Sequence, residues 1–336
     1  MISRPPDLAT LAAGILSGDR SLLARAITLA ESRRPEDARR AAELLRRLAP
    51  HTGGSLRLGI SGPPGAGKST LIDALGCRLI EAGHRVAVLA VDPSSRVSGG
   101  SILGDKTRMA KLAAREEAFI RPSPSGGSLG GVARRTRESL RLCEAAGFDV
   151  VLVETVGVGQ SEVAVRDLVD VFLLLLLPSS GDDLQGIKRG VMEQADIIAV
   201  NKADGDTRPA ALRTQADMAV ALHLSMGEGP AAWTRQVLAC SAASGEGLDE
   251  VWRQVLACRA ARSADGGLHA LRLEQERRWF RLMTEEAVLE RVFGPRPMSD
   301  LRRRLEEEVA SGRLPAEAAL LDLLDQWDHP GGPLPA

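Results

Sequence analysis

The nine residues Gly62-Pro63-Pro64-Gly65-Ala66-Gly67-Lys68-Ser69-Thr70 constrain this chain more than any other part of it. They follow a short aliphatic run, Leu56 to Ser61, and precede a helical pattern from Leu71 to Ala82. The G-x-x-x-x-G-K-[S/T] spacing therefore stands in a strand, loop, helix setting. Chemistry dictates these residue types: glycines let backbone N–H groups wrap phosphate oxygens, and a lysine neutralises the β and γ oxygens. A hydroxyl at the first helical turn ligates Mg2+, and the helix N-terminus adds its dipole. Gly62, Gly65, Ala66, Gly67, Lys68, Ser69 and Thr70 are the expected phosphate-binding set, with Ser69 as a metal ligand.

Beyond a break at Pro50 to Gly54, β-like runs alternate with helical ones: Leu56 to Ser61, Val86 to Val91, Phe119 to Arg121, Val150 to Glu154, Val171 to Leu177, Ile197 to Asn201 and Val237 to Ser241. Most are continuous aliphatic runs, the pattern of strands buried on both faces of a parallel sheet with helical crossovers. The expected fold class is α/β, a doubly wound, mostly parallel sheet. Asp7 to Arg47 reads as helical, and after Arg262 strand signals stop. Helices are expected from Leu268 to Phe293, Ser299 to Ala310 and Pro315 to Trp327. The expected division is an N-terminal helical extension (1–52), a nucleotide domain (53–262), a C-terminal helical arm (263–328) and a frayed Pro/Gly-rich tail (329–336).

A phosphate loop does not choose the base. Asn201-Lys202-Ala203-Asp204, at the end of a predicted strand, fits the N-K-x-D pattern. The Asp204 carboxylate matches the two adjacent donors of guanine, which adenine lacks; Asn201 can reach the other edge and tie down the phosphate loop. Lys202 would lie flat under the base. Ser241-Ala242, ending the next strand, would supply a backbone N–H to the guanine oxygen, although an ordinary turn reads the same way. Two strands end on acids, Asp92 and Glu154, on the edge where doubly wound sheets bind ligands; both are expected to face the triphosphate and Mg2+, with helix N-caps as the alternative. Gly157 resembles the γ-phosphate-sensing glycine of switch GTPases, but the next residue is Val158, where many such enzymes keep a water-orienting Gln. Unaided hydrolysis should be slow.

Charge excludes some partners. With 43 Lys+Arg against 44 Asp+Glu the net charge is −1, which leaves no global electrostatic footprint for nucleic acid. The four cysteines form no C-x-x-C pair, so neither zinc nor a disulfide framework is suggested. The longest aliphatic run, Val171 to Leu177, is far shorter than the roughly 20 residues a membrane-spanning helix needs, and no cleaved signal is evident, so the expected address is cytoplasmic. Lysine occurs only at 68, 106, 111, 188 and 202 in an Arg-rich chain. Those positions call for a compact ammonium.

These residues resemble the MeaB/ArgK family of G-protein chaperones for adenosylcobalamin-dependent acyl-CoA mutases, in the SIMIBI class of GTPases. Besides the loops above, the resemblance rests on Val91 to Ser95, Ser98 to Met109, Ile120 to Ser125, Leu129 to Val132, Glu154 to Glu162 and Asp183 to Lys188. It spans essentially the whole chain, weakly at both ends. The resemblance implies GTP/GDP and Mg2+ as ligands, with Lys68, Asp92, Asp105, Glu154 and Lys188 in catalysis and Ser69, Asp92, Asp105 and Glu154 around the metal. It implies that Asp105 belongs to the first switch and that 181–188, with Asp182, Gln185 and Lys188, is a further switch addressed by the mutase. A plain strand-to-helix loop is the alternative for that segment. It also implies a homodimer through the C-terminal arm.

The reading that follows is a GTP-hydrolysing chaperone that gates cofactor loading and protection of a B12-dependent acyl-CoA mutase, with no nucleic acid or membrane partner. Two alternatives stand beside it. A nickel-insertion-type GTPase should carry a Cys/His cluster, and a transport-associated P-loop kinase should prefer ATP and need no Asn201-Lys202-Ala203-Asp204.

Overall fold

Valine, isoleucine and leucine crowd the strand runs because β-branched and aliphatic side chains fill a pleated surface covered on both sides. In the computed structural model, which describes residues 6–32, 34–91, 108–122, 129–155, 165–178, 189–225, 233–264, 266–293 and 297–328, these runs form a seven-stranded, all-parallel sheet. The strands are β1 (Leu56–Ser61), β2 (Val86–Val91), β3 (Ala118–Pro122), β4 (Val150–Thr155), β5 (Val171–Leu176), β6 (Ile197–Val200) and β7 (Gln236–Ala239). Their order, β3-β2-β4-β1-β5-β6-β7, puts β1 at the centre and reverses direction of winding beside it. This is the expected doubly wound class, and it opens a crevice at the carboxyl ends of β1 and β4.

The helices are α1 (Leu8–Leu16), α2 (Arg20–Glu31), α3 (Pro35–Leu48), α4 (Lys68–Glu81), α5 (Ala110–Ala113), α6 (Leu129–Ala145), α7 (Arg189–Gln194), α8 (Arg208–Ser225), α9 (Leu248–Ser263), α10 (Gly267–Phe293), α11 (Pro297–Ala310) and α12 (Ala316–Asp328). Alternate strand residues feed two cores. Leu56, Leu58, Ile60, Val88, Leu152 and Leu173 pack with α4 and α9 on one face. Leu89, Val151, Val153, Phe172, Leu174 and Ile198 pack on the other with α6, α8 and the leading helices α1 to α3. Each fully buried aliphatic or Phe side chain contributes about 1.5 to 3 kcal/mol. The leading helices start where side chains cap them: Asp7 accepts the Thr10 amide, Asp19 those of Ser21 and Leu22, and Pro35 occupies the first turn of α3.

The amino edge of the sheet is fixed by a repeated device. Asp149, Asp170 and Asp196 each stand one residue before a strand. The Asp149 carboxylate accepts the Arg85 amide at 2.7 Å while its own N–H donates to the Arg85 carbonyl at 3.1 Å. Asp170 grips Arg57 in the same way at 2.9 and 2.9 Å, and Asp196 grips Phe172 at 2.8 and 2.9 Å. Arginines then neutralise the two buried carboxylates: Arg272 donates to Asp170 at 2.7 and 2.8 Å, and Arg262 donates to Asp196. Arg57, inside β1, is matched by the buried Glu144 of α6 through two bonds of 2.9 Å.

The chain divides into two compact units, one up to Arg272 and one from Leu273. In the second, α11 and α12 form a hairpin turned at Gly312, whose φ is +72°, and bury Leu301 and Ala319 while Leu320, Leu321 and Leu324 are exposed. No helix among the described residues is long and apolar enough to cross a membrane.

Candidate nucleotide site

Between β1 and α4 the chain turns sharply, and only glycine allows the path it takes. Gly62, Gly65 and Gly67 have φ of +151°, +79° and +88°. A Cβ on Gly62 would lie 2.4 Å from the Leu175 carbonyl oxygen of β5. Lys68 opens α4 and is buried; its ammonium donates to the Gly62 carbonyl at 2.7 Å and the Pro63 carbonyl at 3.1 Å. A phosphate oxygen is a stronger acceptor than a neutral carbonyl, so the group already sits where charge is wanted. Thr70, in the same turn, is exposed.

Beside the loop, the Ser69 hydroxyl donates to the Glu154 carboxylate at 2.8 Å. The strand order produces this meeting: β1 and β4 are adjacent, with Ile60 level with Glu154. One residue on, the Thr155 hydroxyl donates to that of Ser61 at 2.8 Å, joining the roots of both segments in the buried interior. A hydroxyl and a carboxylate are hard oxygen donors, and their contact fits a small divalent cation held with phosphate oxygens and water. Among the described residues no group of three His, Cys, Asp or Glu side chains could hold a metal alone. Burial pushes the Cys240 thiol up to about 12.

The base side is built from the ends of β6 and β7. Asn201, buried, donates its carboxamide N–H to the Ala66 carbonyl at 2.7 Å and accepts the Ala242 amide at 2.9 Å. The tie to the phosphate loop expected of Asn201 is present. Lys202 is exposed and adopts φ +60°, a left-handed conformation that turns the chain so that Asn201 faces inward and Asp204 returns to the site. Asp204 receives the Ser241 hydroxyl on its carboxylate.

At Ser241-Ala242 the Ser241 amide donates to the Glu246 carbonyl at 2.9 Å and the Ala242 amide to the Asn201 side chain at 2.9 Å. The loop closes on itself because β7 ends at Ala239 and Gly247, at φ +77°, packs against the Ala239 carbonyl. The contribution of Ser241 is its hydroxyl, which holds Asp204. Sequence reasoning also missed Arg78 of α4, which donates to the Gly245 carbonyl at 2.8 Å. No motif marks it; a lone arginine at the end of an α4 otherwise committed to packing is its only signal.

The structure thus brings together Gly62, Gly65, Ala66, Gly67, Lys68, Ser69, Thr70 and Glu154 at one end, and Asn201, Lys202, Asp204, Ser241 and Ala242 at the other. Asp92, Asp105, Gly157, Asp182, Gln185 and Lys188 lie outside the described residues.

The sequence matches the family described as methylmalonyl Co-A mutase-associated GTPase MeaB over residues 23–296. It is 54% identical to a protein of Caulobacter vibrioides described as a putative GTPase, across 95% of this chain and 97% of that protein. Identity to GTPase ArgK of Escherichia coli is 49%, across 85% and 87% of the two chains. Identity to the mitochondrial methylmalonic aciduria type A homolog of Mus musculus is 46%, across 93% and 77%. A crystal structure of an LAO/AO transport system kinase superposes with a TM-score of 0.74 at 40% identity, covering 96% of this chain and 97% of that one.

Proposed function

The chain belongs to the MeaB family of methylmalonyl-CoA mutase-associated GTPases, and from that premise we propose that it is a GTP-hydrolysing chaperone that gates cofactor loading and protection of an adenosylcobalamin-dependent acyl-CoA mutase. The observation that carries the nucleotide half of this reading is the pair of hydrogen bonds of Asn201, donated to the Ala66 carbonyl and accepted from the Ala242 amide. It makes the base motif and the phosphate loop one site.

In this reading Asp204 accepts two guanine donors, with Ser241 fixing its carboxylate. Backbone amides of Gly65 to Ser69 and the start of α4 hold the phosphates. Lys68 places its charge on the β and γ oxygens, where negative charge shifts as the γ-phosphoryl group leaves. Ser69 and Glu154, with Asp92 and Asp105 as further candidates from the sequence, would hold Mg2+, which when bound offsets charge on the same oxygens. Val158 cannot orient water, so the isolated protein is a slow GTPase. In this proposal the mutase accelerates it through the 181–188 segment, with Lys188 as the arriving ammonium.

The test mixes the purified protein with an adenosylcobalamin-dependent methylmalonyl-CoA mutase and follows GTP hydrolysis and co-elution. The expected result is a stable complex and a faster turnover that Lys188→Ala removes while leaving the basal rate intact. No complex and no stimulation with such mutases would overturn the chaperone reading and leave a GTPase with another partner.

A further inference from the structure

The base loop is gripped from a second direction. We infer that Arg78 is a positioning residue for nucleotide recognition, holding the 241–247 loop from the far end of the phosphate-loop helix. The guanidinium Nη2 donates to the Gly245 carbonyl at 2.8 Å, and Nη1 reaches the Asp249 carboxylate at 2.5 Å. Asp249 is 88% exposed, so the ion pair adds little; the bond to the fixed carbonyl is the one that restrains the loop.

Gly245 is not a loose tip. Its amide donates to the Ser241 carbonyl at 2.9 Å, and the Ser244 amide donates to the Ser241 hydroxyl at 3.1 Å. That same hydroxyl bonds Asp204. A pull on the Gly245 carbonyl is therefore felt at the side chain that fixes the base-reading carboxylate. At the other end the Ala242 amide is held by Asn201, which is held by Ala66.

The contacts close a ring. It runs from Ala66 along α4, a rigid helix rising about 1.5 Å per residue, to Arg78, across to Gly245, back through Ser241 and Ala242 to Asn201, and so to Ala66 again. With Arg78 in place the loop has two separated struts; without it Asn201 acts as a pivot. Arginine's rigid planar fork fixes the direction of both contacts, which the rotating ammonium of a lysine would not. Gly245 has φ +82°, and a Cβ there would come within 2.4 Å of Nη2, so the loop is shaped to admit this guanidinium. The chemistry affected is base recognition, because Lys68, Ser69 and Glu154 gather at the start of α4, well away from Arg78.

This inference rests on Asp204 reading guanine, and the experiment separates the two. Full-length Arg78→Met, which keeps the apolar stem, is compared with the wild type by calorimetry with GDP and ADP and by steady-state GTP hydrolysis. Loss of a part-buried charged hydrogen bond should weaken GDP binding roughly three- to tenfold. ADP binding should be nearly unchanged, KM for GTP raised and kcat kept within about twofold of the wild type. Asp249→Asn should reproduce none of this, and Gly245→Ala should reproduce it. An unchanged GDP-to-ADP ratio in Arg78→Met, or a fall in kcat at constant KM, would overturn the role of Arg78 while leaving the base reading intact. Equal affinity of the wild type for GDP and ADP would overturn the base reading and this inference with it.

Discussion

The Asn201 carboxamide nitrogen donates to the Ala66 carbonyl at 2.7 Å, and Gly67, one residue on, comes so close beneath it that a Cβ would lie 2.5 Å from that nitrogen. The absence of a side chain at 67 and the amide at 201 are one design. Asn201→Ala leaves a buried acceptor and a buried donor unpaired, which costs about 1 to 3 kcal/mol. The expected outcome is a lower denaturation midpoint and weaker GDP binding together; unchanged midpoints in urea would show that the two loops do not depend on this link.

Base selection should be transferable. Asp204→Asn exchanges an acceptor for a donor at the position opposite the guanine amine, so GTP and GDP should bind more weakly and xanthine nucleotides better. Calorimetry with GDP and XDP reads the switch. Tighter binding of ATP than of GTP by the wild type would contradict the assignment outright.

Lys68→Ala should abolish measurable hydrolysis, because no other described cation lies among the carbonyls of Gly62 and Pro63. The variant should stay folded, since both of these bonds run to carbonyls of its own loop. Wild-type turnover by this variant would remove the phosphate-loop reading of Gly62 to Thr70.

The Glu144 carboxyl gives a pH signature. Burial pushes its pKa up, but the Arg57 ion pair, the Ser55 hydroxyl and the Gly53 amide outweigh burial and hold it below the usual carboxylate range. A depressed folded value means that the unfolded chain binds the proton more tightly. The contribution is therefore complete above the unfolded pKa and is lost as pH falls through the folded one. Glu144→Gln should flatten the acid limb of the stability curve and, by stranding the buried Arg57 charge, destabilise the protein by about 3 to 5 kcal/mol at neutral pH. Chemical denaturation of both proteins from pH 7 to pH 3 checks both effects.

The strands were legible because a parallel sheet buried on both faces leaves uninterrupted aliphatic runs: Leu56–Ser61 and Val86–Val91 fall where the sequence places them. The carboxyl end of β7 was less legible. The strand stops at Ala239, two residues early, because the Ser241 amide is taken by Glu246 and leaves the ladder. Asn201 and Asp204 were readable because the N-K-x-D spacing is itself local, although their partners Ala66, Ala242 and Ser241 lie far along the chain. Arg78 with Gly245, or Arg272 with Asp170, were not. Each pair is separated by more than a hundred residues, and nothing local distinguishes such an arginine from a solvated one. Arg57 was the exception that could have been noticed, as a charge inside a buried strand requires a buried partner.

The three aspartates ahead of β4, β5 and β6 act as an index mark for strand register. Slipping any of these strands by one residue would separate a carboxylate from the amide it grips, and for Asp170 and Asp196 would strand a buried charge among neighbours it no longer fits. Insertions and deletions at the amino edge of these three strands are therefore heavily penalised, since each would shift a strand past the carboxylate that sets its alignment.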